Sequence, residues 1–218
     1  MSPMAPFATA MLLLAGGIQA HFTVQYPEVV GVFDDDKEGT APCGGYNPDI
    51  TKVAITDFHV DGDYIATTLT HPEGDWLYRV TTDPGANGNW TKIFPIFKQD
   101  GAGKYCAPQV TVPQDFVGKK GYLGIVSKAV DGKLYQCAGV NFVKGKITAA
   151  SQNCTNGTGV TATYTTDDAL TAELGTPSPS SSEHATSGGV SSKGETYHVL
   201  GSMVGAGLMV VMGAFLVI

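Results

Sequence analysis

A single arginine, Arg79, stands among 20 acidic residues, and the formal charge of the 218-residue chain is −7. A chain so short of positive charge presents no basic stripe for nucleic acid and no basic face for an anionic membrane surface. Its four cysteines contain no C-x-x-C spacing, which argues against a structural zinc site. The Gly-x-Ser-x-Gly signature is absent too, so no serine-nucleophile elbow is recognisable. No internal repeat and no long helical period appear. Histidine is scarce, with five in all: His21, His59, His71, His184 and His198.

Both ends read as removable. Residues 1–20 carry the apolar run Ala8–Ala15 and finish Gly17-Ile18-Gln19-Ala20. The run is too short to span a bilayer and fits a secretory signal peptide cut after Ala20. At the far end, the apolar stretch 199–218 follows a polar spacer, Val190–His198, and the small triplet Ser187-Gly188-Gly189. That order makes a GPI-attachment signal over 188–218, with Ser187 as the attachment residue and Ser191-Ser192 as a second candidate. A retained tail-anchor helix is the other reading. Residues 161–187 read as a Ser/Thr-rich disordered stalk. A secreted chain gives meaning to the sequons at Asn89, Asn153 and Asn156, and to an even cysteine count. Two disulfides are expected, and position along the chain favours Cys106–Cys137 and Cys43–Cys154 over the other pairings.

The domain 21–160 alternates strands and turns. Strands are expected over His21–Tyr26, Thr51–Val60, Tyr64–His71, Trp76–Thr81, Lys92–Phe97, Tyr105–Val112, Tyr122–Lys128 and Leu134–Val143. Asp61-Gly62-Asp63 reads as a hairpin turn with solvated carboxylates. The run Asp34-Asp35-Asp36-Lys37-Glu38-Gly39 reads as a solvated polar loop without calcium-loop spacing. Short strands at 8–14-residue intervals predict an all-β, antiparallel sandwich, with two disulfides expected.

Cleavage after Ala20 would leave His21 at the N-terminus. An N-terminal histidine can chelate one metal through its α-amine and ring Nδ1 together, and such nitrogen donors suit copper(II). His71 ends a strand just before Pro72, whereas His59 reads as structural or surface.

The run His21-Phe22 to Tyr26-Pro27, then Pro42-Cys43-Gly44-Gly45, then Leu134-Tyr135-Gln136-Cys137-Ala138, resembles the fungal GPI-anchored copper-acquisition proteins with a lytic polysaccharide monooxygenase-like fold. The resemblance covers about His21 to Asn153 and implies an immunoglobulin-like β-sandwich, in agreement with the strand reading. It implies a copper(II) histidine brace from His21 and His71, a role in copper capture or homeostasis at the cell surface, and a surface copper transporter as partner. Localisation would be the outer face of the plasma membrane or the cell wall, through the GPI anchor. The family's aspartate after Cys-Ala is Gly139 here. Copper is then held by His21 and His71 alone, or by another acid such as Asp131, or is no longer bound. On this reading Gly139→Asp tightens copper binding. The resemblance implies a binder and not an enzyme. The alternatives are a copper-dependent polysaccharide monooxygenase, with Tyr135 near an axial position, or a wall protein without metal.

Overall fold

The computed structural model describes residues 21–147 and 154–175. The signal segment 1–20, the Asn153 sequon, residues 176–187 of the stalk, and the attachment segment with Ser187 lie outside the described residues.

Ten strands follow in order: β1 (Phe22–Tyr26), β2 (Thr56–His59), β3 (Asp63–Leu69), β4 (Glu73–Thr81), β5 (Thr91–Lys92), β6 (Phe97–Asp100), β7 (Gly103–Val110), β8 (Lys120–Ala129), β9 (Gly132–Val143) and β10 (Thr161–Tyr164). One short helix, α1 (Asp168–Thr171), follows them. They make two sheets. The small one runs β1-β3-β7, and the large one runs β10-β6-β4-β8-β9-β2, with β5 paired on β4. The all-β sandwich with two disulfides is therefore as the sequence predicts, with one departure: β2 lies parallel to β9.

Period-two alternation explains which residues fill the space between the sheets. Phe22, Ile65 and Leu69 of the small sheet meet Trp76, Tyr78, Val80, Leu123, Ile125, Val140 and Phe142 of the large one. Phe22 packs edge-on to Trp76, ring centroids 5.1 Å apart. The opposite face of the large sheet is covered as well. There Tyr122 and Cys137 pack with Val30 and Cys43, while Leu77, Val126 and Tyr135 pack with Leu170 of α1. A sheet buried on both faces needs apolar residues at odd and even positions alike, which is why β8 and β9 read as nearly continuous apolar runs.

Several expectations are corrected here. The strand expected over Thr51–Val60 shortens to Thr56–His59, since 49–53 are used in a turn tied by Asp49. Asp61-Gly62-Asp63 is not a hairpin turn: β2 and β3 belong to different sheets, so it is a crossover. Asp63 is buried, not solvated, and accepts from the N–H groups of His59 and Tyr64. Its Oδ2 also lies 2.8 Å from His59 Nδ1, which makes His59 structural. The Lys92–Phe97 strand is broken into β5 and β6 around Pro95, which has no N–H for a ladder.

The disulfides are Cys43–Cys137 and Cys106–Cys154, each with Cα atoms 5.0 Å apart. The expected Cys106–Cys137 pair does not form: Cys137 on β9 packs with Val30 and Cys43 on the outer face of the large sheet, whereas Cys106 on β7 packs with Tyr64, Ala66 and Cys154. Cys43 reaches β9 because Val30 N–H donates to the Cys137 carbonyl and Val29 bridges Ala138.

The stalk does not begin at 161. β10 pairs with β6, Asp167 caps α1 by accepting from Leu170 N–H, and Leu170 is fully buried. Glu173 accepts from the Tyr135 hydroxyl at 3.1 Å and pairs with Lys133 and with Arg79, whose guanidinium stacks on Trp90 at 4.2 Å. Residues 161–175 thus form a strap on the large sheet.

Candidate metal centre

β1 and β3 are antiparallel, with Phe22 opposite Leu69. That register sets His21 against Thr70, one residue before His71. The Thr70 hydroxyl donates to the His21 carbonyl at 2.8 Å and accepts from the His21 N–H at 3.1 Å. Thr70 N–H donates to the same carbonyl. The two histidines expected from the sequence therefore come together at one end of the small sheet.

Each ring faces an acid. His21 Nδ1 lies 3.6 Å from Asp35 Oδ1, and His71 Nε2 lies 3.2 Å from Asp131 Oδ2. Neither nitrogen forms a hydrogen bond, although both are closed off from solvent. A buried ring nitrogen without a hydrogen bond is costly unless something else occupies its lone pair. Two such nitrogens at one sheet end are donors suited to a transition metal, and imidazole favours copper(II). Among the described residues, no three His, Cys, Asp or Glu side chains make a metal cage by themselves. A brace with a free His21 amine would not require one, because that amine would be its remaining nitrogen. The residues present thus fit the metal that the resemblance implies.

Asp131 sits in the turn between β8 and β9, which pair to their tips at Ala129 and Gly132. It is the acid beside His71. Gly139 cannot play that part. On β9, Gln136 reaches Phe22 on the core side, while residues 135, 137 and 139 point to the opposite face. A Cβ at Gly139 would meet the Ala54 carbonyl oxygen at 2.5 Å, with Val53 and Ile55 close by. Tyr135 likewise does not reach an axial position, because its hydroxyl is held by Glu173 in the strap.

Sequence reasoning missed Glu38. Read as part of a solvated loop, it is 1% exposed. The 3-10 turn Asp35–Lys37 swings the chain so that Glu38 enters the protein. Its Oε1 accepts from Phe22 N–H at 3.3 Å and from Gln136 Nε2 at 2.7 Å. The same Gln136 amide donates to the Phe22 carbonyl at 2.5 Å. Burial, with Asp35 and Asp131 nearby, pushes the Glu38 carboxyl up to about 7 despite those hydrogen bonds. The signal available in the sequence was Gln136, a polar residue in an apolar strand that needs a buried partner.

The rim is partly apolar. Phe33 lies 5.7 Å from the His21 ring, and Val32 and Val130 are 93% exposed on the segments carrying Asp35 and Asp131. Of the expected glycosylation residues, Asn89 and Asn156 are exposed, and Asn156 Oδ1 accepts from Cys106 N–H.

Comparison with known proteins gives four findings. The domain family described as copper acquisition factor BIM1-like matches residues 19–159. An uncharacterized protein of Aspergillus fumigatus is 30% identical over 172 residues, covering 72% of this chain and 67% of its own length. The lytic polysaccharide monooxygenase-like protein X325 of Yarrowia lipolytica is 32% identical over 169 residues, covering 71% of this chain; the match spans 61% of that protein. Among solved structures, the catalytic domain of a Listeria monocytogenes lytic polysaccharide monooxygenase aligns with a TM-score of 0.42 at 18% identity, over 56% of this chain and 99% of that one. With well over half of its length matched by one domain family, this chain belongs to the BIM1-like copper acquisition factors.

Proposed function

We propose that the chain is an extracellular copper(II)-binding protein that captures copper at the cell surface, anchored by GPI, and that it is a binder and not an enzyme. One observation carries the reading: His21 Nδ1 and His71 Nε2 are buried without hydrogen bonds at the same end of the small sheet. In the processed chain the His21 amine, His21 Nδ1 and His71 Nε2 hold the metal, and the Asp131 carboxylate adds negative charge beside His71. Copper(II) supplies the affinity for nitrogen donors. The chain's own residues orient those donors, Thr70 by fixing the His21 backbone and the β8–β9 turn by presenting Asp131.

The test is a copper(II) titration of protein beginning at His21. One copper per chain is expected, with a nitrogen-rich signature in electron paramagnetic resonance. A chain that keeps a residue before His21 has no free histidine amine and should bind much more weakly. Equal binding by both forms would rule out the brace. Release of oxidised sugars from chitin, glucan or xylan by copper-loaded protein with a reductant would replace the binder with the monooxygenase reading.

The anchor rests on the apolar stretch 199–218 with Ser187-Gly188-Gly189 upstream. Phospholipase treatment of intact cells should release the protein. Recovery of peptides from 199–218 in the surface-exposed protein would disprove the anchor. A surface copper transporter is the partner this placement calls for.

A further inference from the structure

We infer that Glu38 is a positioning residue of the metal centre: its buried carboxylate clamps the start of β1 onto Gln136 and supplies negative charge that a bound cation balances. The inference rests on the copper(II) reading above.

The clamp is visible in the hydrogen bonds. Phe22, the residue after His21, is held at both backbone groups, its N–H by Glu38 Oε1 and its carbonyl by the Gln136 amide. Gln136 Nε2 also binds Glu38, and Tyr135 N–H donates to the Glu38 carbonyl. Phe22, Glu38 and β9 therefore form one polar unit directly inside the residue that carries the amine and Nδ1 donors. A metal site gains affinity when such supports fix its ligands before the metal arrives.

The charge argument is separate. Glu38 is buried, its Oε2 has no hydrogen bond, and among the described residues it makes no ion pair with a lysine, arginine or histidine. The charges that act on it most strongly, Asp35 and Asp131, are also negative. A buried carboxylate with neutral donors and like-charged neighbours is unfavourable unless a cation is near. Asp35 and Asp131 each face one of the two proposed ligand rings. A divalent cation there would convert three mutually repelling acids into favourable partners. At pH 8, above the raised Glu38 titration near 7, the carboxylate is mostly ionised in the metal-free protein.

Glu38→Gln keeps the acceptor toward Phe22 and Gln136 and removes the charge. In metal-free protein at pH 8 its melting temperature should equal or exceed that of wild type. Its copper(II) affinity should fall about tenfold, with an altered paramagnetic resonance spectrum. Gln136→Met keeps the charge and removes the clamp, so it should lower both metal-free stability and copper affinity. A Glu38→Gln protein that is destabilised or unfolded without metal would make Glu38 purely structural and overturn the inference. Unchanged affinity and spectrum would overturn it as well. If wild type itself takes no copper, the copper reading fails and this inference falls with it; if wild type binds and Glu38→Gln matches it, only this inference fails.

Discussion

His71→Ala, in a chain beginning at His21, should lower copper(II) affinity by at least about 100-fold, because it removes an entire ligand and not a supporting contact. The fold should survive. His71 lies beyond the end of β3 and is absent from the hydrophobic core, so the substitution opens no core cavity. Asp131→Asn should cost less, about tenfold, since it removes charge beside His71 and leaves the nitrogens in place. Binding by each variant should weaken as pH falls, because protons compete for the imidazoles and the amine. The check is a competition titration with a calibrated copper chelator, beside thermal melts without metal. A His71→Ala protein that binds as tightly as wild type would remove His71 from the site.

Gly139→Asp should destabilise the protein by about 3 kcal/mol or more and should not tighten copper binding. The sequence alone predicts the reverse. The new Cβ would sit 2.5 Å from the Ala54 carbonyl oxygen, and the carboxylate would enter a packed region of Val53 and Ile55. It would also lie on the face of β9 turned away from Gln136 and Phe22. Chemical denaturation and copper titration of the same preparation separate the two effects. A stable Gly139→Asp protein with tighter copper binding would show that Asp131 is not the acid of this centre.

The sheet core and the two histidines were legible because each leaves a local trace. Alternation marks the strands, and His21 and His71 stand out where few histidines exist. Asp131 was visible only as one choice among several, because a turn residue's position depends on how β8 and β9 pair. Glu38 was hidden for a different reason. A run of six polar residues has no period, so nothing local distinguishes the side chain that turns inward from the three aspartates that precede it. The cysteine pairing failed because position along the chain says nothing about which face of a sheet a cysteine occupies. The strap was missed because its hold on the sheet comes from Leu170 and Glu173, two residues within a stretch of otherwise ordinary polar composition.

The Cys43–Cys137 bridge joins residues 94 positions apart. It lies five residues after Glu38 and one after Gln136, so it covalently ties the loop carrying the buried acid to the strand carrying its donor. Closing a loop of that length removes roughly 4–5 kcal/mol of freedom from the unfolded chain. That constraint favours the folded arrangement in which Glu38 and Gln136 meet, so the polar unit inside His21 is held by a covalent link as well as by hydrogen bonds.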